Sequence, residues 1–281
     1  MGHGIAQVAS QFAGYEVSLL DVKPEFVEKG MNMIRQSLEK FVEKGKLSKA
    51  ESEKVLARIH PTTELADALA GCQLVIEAAT EDPALKLELY RKLSGMVGED
   101  VVVASNTSSI SITLLASATK HPENVCGMHF FNPPQLMPLV EITRGAKTSD
   151  ETVGTVREAS RAMGKETVLC KKDSPGFIVN RILVPALNEA VFLVNEGVAD
   201  PEDVDKAVRL GLNWPMGPLA LLDYVGLDTT LNITQVFMEE FQDSKYRPCP
   251  LLKEMVRAGL LGRKSGRGFY EWPSPGSSRT K

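Results

Sequence analysis

The 281-residue chain has no run of apolar residues approaching the ~18 that a membrane-spanning helix requires, and no charged-then-apolar leader at its start. The expectation is a soluble, unanchored protein with no membrane partner. Met1-Gly2 does not alter this, because Ala6 stands where an acylation motif wants Ser or Thr. Cysteine is scarce. Cys72, Cys126, Cys170 and Cys249 stand singly, without C-x-x-C spacing, which argues against a zinc site and a disulfide framework and for reduced thiols in the cytoplasm. No metal site is expected. No basic stripe offsets the acid excess behind the net charge of -4, which excludes a nucleic-acid surface and leaves a small molecule or a second copy of the chain as partner. Internal repeats are lacking too, and low complexity is confined to the Pro/Ser/Gly stretch 273-281, expected to be a disordered tail.

What is present suits two domains and a sizeable core, with 43% apolar and 24% charged residues. Ile5, Val8, Ala9, Phe12 and Ala13 follow a helical period that Gly14 stops, and Tyr15 to Leu20 then reads as a strand closing on Asp21, nineteen residues beyond Gly2. That layout is the second half of a dinucleotide-binding βαβ unit, in which the acid takes a ribose hydroxyl; read alone, it is equally an ordinary helix, strand and turn acid. Val27, Met31, Ile34, Leu38 and Phe41 form an amphipathic stripe, and Leu47, Val55, Leu56 and Ile59 supply the face of a returning arm, which predicts a helical hairpin over about 24-59. Lys40, Lys44, Lys46 and Lys49 near its turn are either a solvated face or a phosphate-binding patch.

Leu74-Val75-Ile76 and Val101-Val102-Val103-Ala104 read as buried parallel strands flanking a helix from about Ala84 to Val97. Val125 to Phe131 and Leu139 to Thr143 read as further strands. Alternating strands and helices predict a doubly wound, Rossmann-type α/β sheet over residues 1-173. Lys171 to Gly176 is a linker by composition, and beyond it 174-272 reads as a smaller all-helical C-terminal domain, with Asp200-Pro201 a good helix start. Its apolar clusters serve either its own core or a dimer interface.

The chemistry should lie at His129-Phe130-Phe131-Asn132-Pro133. A histidine just past an apolar stretch, with Glu141 twelve residues later on a nearby strand, has the makings of a general base and its orienting carboxylate.

Five motifs occur in order: Ser105-Asn106-Thr107-Ser108-Ser109, His129 to Pro133, Ser174-Pro175-Gly176-Phe177-Ile178-Val179-Asn180-Arg181, Pro215-Met216-Gly217-Pro218, and Gly262 to Tyr270. On these the chain, from Met1 to about Trp272, resembles the 3-hydroxyacyl-CoA dehydrogenase family, and within it the short bacterial 3-hydroxybutyryl-CoA dehydrogenases. The resemblance implies an NAD-dependent oxidoreductase that interconverts (S)-3-hydroxyacyl-CoA, of short chain, and 3-oxoacyl-CoA. It makes His129 the general acid/base and Glu141 its partner, sets Ser108 and Asn180 on the reacting end of the substrate, and puts Asn132 beside the nicotinamide. For NAD it implies Gly2, Asp21, Glu81, Lys86 and Lys264, together with Ser108 and Asn132. Ser37 and Lys44 are implied for coenzyme A, and a homodimer through the C-terminal domain. An acid at Asp21 repels a 2'-phosphate, so NAD is expected rather than NADP. The chain departs from the family where the first strand and the first two glycines of the nucleotide-binding turn have no counterpart. A sheet without that strand has two unpaired edges inside it. Against the enzyme stands a non-catalytic relative or a truncated dimeric scaffold, which the absent turn favours and the intact His129 and Glu141 oppose.

Overall fold

Short β-branched runs can be buried only as strands covered on both faces, and the amphipathic stripes between them supply the cover. A computed structural model describes residues 1-273; beyond Pro273, the expected tail lies outside the described residues. The chain divides into two units, Met1-Ser174 and Pro175 onward. In the first, the order is α1 (Gly2-Ala13), β1 (Val17-Leu20), α2 (Pro24-Glu43), α3 (Lys49-Ala57), β2 (Ile59-Thr62), α4 (Leu65-Leu69), β3 (Leu74-Glu77), α5 (Pro83-Met96), β4 (Val102-Ser105), α6 (Ile112-Ala116), β5 (Val125-Phe130), β6 (Leu139-Arg144), α7 (Asp150-Ala162) and β7 (Glu166-Cys170).

The strands of this unit fall into two sheets. One pairs β1 with β2 in parallel; the other has the order β3-β4-β5-β6-β7, parallel except where β6 runs antiparallel to β5. No ladder joins β1 to β3, so each is an edge. Ile5 and Val8 of α1 and Val153 and Val156 of α7 cover β4, β5 and β6 through Val102, Ala104, Met128, Phe130, Val140 and Ile142. The hairpin is α2 and α3. Pro24 opens α2 at a position that needs no N-H, and Val27, Met31, Ile34 and Leu38 form its buried stripe. A capping box, Ser48 with Glu51, starts α3. Ile59 belongs to β2 rather than to the returning arm, and neither β2 nor β7 is anticipated by the sequence pattern.

The second unit is helical: α8 (Val179-Asn195), α9 (Pro201-Gly211), α10 (Pro218-Val225), α11 (Leu227-Phe241) and α12 (Pro250-Arg257). They enclose Leu187, Val191, Leu219, Leu222, Leu227 and Leu252. Two of the five motifs have a structural role here. The Asp223 carboxylate accepts hydrogen bonds from Phe269 N (2.9 Å), Tyr270 N (2.9 Å) and Trp272 Nε1 (2.8 Å), folding the last described segment back onto α10. Gly262 (φ 88°) packs against the backbone of Asp223, and Gly217 against the Asp205 carboxyl, where neither leaves room for a Cβ. Asp205 in turn accepts from Leu219 N, Ala220 N and Tyr270 Oη.

Replacing Asp223 by Asn turns an acceptor toward N-H donors and removes the charge, so it should destabilise this unit by about 2-3 kcal/mol. Tryptophan fluorescence in urea reads the loss, because Trp214 and Trp272, the only tryptophans of the chain, both lie here. An unchanged midpoint would contradict the role given to Asp223.

Candidate active site

All six residues of β5 are buried, and so is Glu141 on β6. The antiparallel register sets His129 opposite Glu141. Residues directly opposite in such a pair carry their side chains on the same face with Cβ atoms about 5 Å apart. The spacing of twelve is therefore the geometry of two strands joined by the loop 131-138. His129 Nδ1 lies 2.8 Å from Glu141 Oε2, with His129 7% and Glu141 0% exposed. A carboxylate only accepts, so in the neutral ring this bond assigns the proton to Nδ1 and makes Nε2 the acceptor nitrogen. The Phe131 ring lies against the imidazole, its centroid 4.8 Å away. Burial excludes water from the pair, and a hydrogen bond strengthens where the local dielectric is low.

The C-terminal ends of β3, β4 and β5 lie along one edge of the sheet, where open α/β sheets take their ligands. Here the turns after β3 and β4 meet. The Glu81 carboxylate accepts from Thr107 Oγ1 (2.5 Å), Ser108 N (2.9 Å), Ser109 N (3.2 Å) and Ser109 Oγ (3.1 Å), with Ser108 Oγ at 3.4 Å. Burial on its own would raise the Glu81 carboxyl, but the Thr107 hydroxyl, the Lys86 charge, and Ser108 and Ser109 outweigh it and hold the group below the usual carboxylate range. Lys86 is 1% exposed, its ammonium 2.6 Å from Glu77 Oε1 and 3.5 Å from Glu81 Oε2. It is thus a buried tether of this turn rather than an exposed cation.

The loop 131-138 carries Asn132, which is exposed. Lys165 holds it from beneath. Its ammonium, on a residue 7% exposed, donates to Pro134 O (2.6 Å) and Met137 O (2.9 Å), and burial pushes the amine below its ordinary range. On the other side Gln135 Nε2 donates to Gln7 Oε1 of α1 (2.9 Å), and a Cβ on Gly4 would come within 3.0 Å of Pro134. Sequence reasoning missed Lys165, which carries no signal of its own beyond following Gly164. It also missed Glu77, whose signal was available as a carboxylate ending the apolar run Leu74 to Ile76.

Gly2 opens α1, where a Cβ would lie 3.8 Å from Ala78, the residue after β3. Asp21 follows β1, exposed, its Oδ1 accepting from Val22 N. Gly30 packs against both His3 and Leu19, so the start of α1 and the end of β1 are on the same side. A helix start, an exposed acid one strand away and the Glu81-Ser108 turns fit an extended dinucleotide. Ser37 and Lys44 lie two turns apart on α2, the first half-buried and the second exposed beside Lys40. Asn180 and Lys264 belong to the second unit. Asn180 is in the first turn of α8, and Lys264 Nζ is 2.6 Å from Asp228 Oδ2.

Comparison with known proteins gives a consistent answer. The profile of the 3-hydroxyacyl-CoA dehydrogenase NAD-binding domain matches residues 1-174, and that of the 3-hydroxyacyl-CoA dehydrogenase C-terminal domain matches 176-272. A probable 3-hydroxybutyryl-CoA dehydrogenase of Deinococcus radiodurans is 53% identical over 272 residues, 97% of this chain and 96% of that protein. The 3-hydroxybutyryl-CoA dehydrogenase of Bradyrhizobium diazoefficiens is 47% identical, over 97% of this chain and 92% of its own. Among solved structures, the (S)-3-hydroxybutyryl-CoA dehydrogenase of Ralstonia eutropha superposes with a TM-score of 0.93 at 48% identity, over 98% of this chain and 96% of that one.

Replacing Lys165 by Met leaves the Pro134 and Met137 carbonyls, the first of them buried, without their donor, which should cost about 1-3 kcal/mol. Far-UV circular dichroism in urea measures it, and an unchanged transition would show that the lysine does not hold the loop.

Proposed function

The chain belongs to the 3-hydroxyacyl-CoA dehydrogenase family, and from that premise we propose that His129, oriented by Glu141, carries the proton transfer between (S)-3-hydroxyacyl-CoA and 3-oxoacyl-CoA. The enzyme is an NAD-dependent oxidoreductase of the 3-hydroxybutyryl-CoA dehydrogenase type. One observation carries the reading: a buried imidazole bonded at 2.8 Å to a fully buried carboxylate. In the oxidative direction Nε2 takes the 3-hydroxyl proton while the C3 hydrogen leaves as hydride. NAD bound beside Ser108 and Asn132 would supply the hydride acceptor, and NADH the hydride donor in the reverse direction. The imidazolium formed is stabilised by Glu141 across Nδ1-H, which costs no reorganisation because the pair is already bonded.

Ser108 and Asn180 hydrogen-bond the reacting end of the substrate, and Asn132 orients the nicotinamide. Hydride transfer needs donor and acceptor carbons near contact distance, which is the work of these polar groups. Gly2, Asp21, Glu81, Lys86 and Lys264 serve the dinucleotide, Lys86 by holding the Glu81 turn. The face of α2 that bears Ser37 and Lys44 binds the coenzyme A moiety. The Lys40 and Lys44 ammonium groups, both exposed, supply the charge that phosphates require.

A homodimer formed through the second unit accounts for its exposed apolar residues, Ile182, Val198, Leu210 and Leu212, each more than 60% exposed. The four cysteines are free thiols, with Cys126 pushed up to about 12 by burial, and among the described residues no helix is long and apolar enough to cross a membrane. The free thiols support action in the cytoplasm.

Mixing the protein with NADH and acetoacetyl-CoA should bleach the NADH absorbance, and much less with NADPH. Glu141→Gln should keep the fold and lower kcat by about 10²- to 10⁴-fold, the range of a lost acid/base contribution. A folded chain without activity would overturn the reaction, and full activity in Glu141→Gln would overturn the role of the pair. Sedimentation should give twice the chain mass, and Leu210→Glu should shift it toward the monomer. A monomer without substitution would contradict the dimer.

A further inference from the structure

Glu77 is the last residue of β3 and 5% exposed. Its Oε1 accepts from Lys86 Nζ (2.6 Å) and Ala79 N (2.6 Å), and its Oε2 from Ser105 Oγ (2.7 Å). Ser105 Oγ accepts from Thr107 N (3.1 Å), Thr107 Oγ1 donates to Glu81 Oε1 (2.5 Å), and Glu81 Oε2 lies 3.5 Å from Lys86 Nζ. These contacts close a ring: Glu77, Ser105, Thr107, Glu81, Lys86 and back to Glu77. One arm leaves it. The backbone carbonyl of Glu77 accepts from Asn106 N (2.7 Å), and Asn106 Oδ1 accepts from the N-H of Phe130 (2.9 Å), the residue after His129.

We propose that Glu77 is a positioning residue for the reaction described above, holding the turns of Glu81 and Ser108 in one geometry and, through Asn106, tying them to the strand that carries His129. The inference rests on the dehydrogenase reading of the site. Strand stability does not ask for an acid at this position. A buried carboxylate is expensive to desolvate, and a well-packed apolar residue usually serves a core at least as well as a buried ion pair. The three donors to its carboxylate come instead from three segments, the turn after β3, helix α5 and the end of β4. Two of these segments bear Glu81 and Lys86, and the third leads into Ser108. A group that must hold three segments in register needs several acceptor sites, which a carboxylate has and an apolar side chain does not. Lys86, at 1% exposure, then acts on the dinucleotide by way of the turn it anchors.

Glu77→Gln tests the ring, with Ser105→Ala as the milder variant that cuts only the link from Glu77 to Thr107. NADH affinity by fluorescence should weaken by about tenfold in Glu77→Gln, the worth of one charge-assisted hydrogen bond, and less in Ser105→Ala. At saturating NADH the KM for acetoacetyl-CoA should rise less than the NADH affinity falls, because Glu77 reaches Ser108 only through Ser105, Thr107 and Glu81. A role in stability alone would not produce that split. Hydrogen exchange of the protein without ligand should rise together at 78-81, 105-109 and Phe130. NADH affinity unchanged in both variants, or faster exchange confined to the turn after β3, would overturn the proposal. If the unsubstituted chain binds no NADH, the dehydrogenase reading itself fails, and the exchange pattern still decides whether Glu77 couples the turns to β5. Should Glu77→Gln not fold, Ser105→Ala carries both measurements.

Discussion

A single buried cross-strand hydrogen bond, His129 Nδ1 to Glu141 Oε2, is the contact on which the proposed chemistry depends. It exists because β5 and β6 pair antiparallel in one register. A slip of one residue would turn both side chains to the opposite face. The register is secured by an apolar face common to both strands, on which Met128, Phe130, Val140 and Ile142 are almost wholly buried against α1 and α7. The same burial that fixes the register places the imidazole and the carboxylate where an unpaired charge would be costly, so the two groups stabilise each other's presence there.

Around this pair several polar groups of the sheet edge bond one another. Lys165 bonds the two loop carbonyls of Pro134 and Met137, Asn106 takes the Phe130 N-H, and Glu81 collects donors from three consecutive residues. A buried network of this kind is costly when incomplete and rigid when complete. Rigidity is what hydride transfer requires, since small errors in placement of the reacting carbons are severe in rate. The proposed division of labour follows the chain: the turns after β3 and β4 for the dinucleotide, and the β5-β6 pair for the proton.

Much of this was legible in the sequence, for identifiable reasons. Leu74 to Ile76 and Val102 to Ala104 are short unbroken apolar runs rich in β-branched residues, the pattern of a parallel strand, and the stripe from Val27 to Leu38 marks the longest helix. The spacing of His129 and Glu141 was readable because a strand, a loop and an antiparallel return bring such residues together. The strands β2 and β7 were not legible. β2 holds His60 and Pro61 in an edge position that tolerates proline, and β7 begins at an exposed glutamate, so neither reads as an apolar run. Lys165 escaped notice because its partners are backbone carbonyls twenty-eight and thirty-one residues away, which no side-chain pattern encodes, and Glu77, though it ends an apolar run, because its partners Ala79, Lys86 and Ser105 lie in three separate segments. The split of the strands into two sheets is likewise a property of pairing, not of any one segment.

The most direct test of the account is the protonation pattern of the His129 ring, read by nitrogen NMR of the labelled imidazole in the neutral form. The account predicts that Nδ1 carries the proton and that its signal moves when Glu141 is replaced by Gln. A neutral ring protonated at Nε2, or a signal indifferent to residue 141, would contradict it.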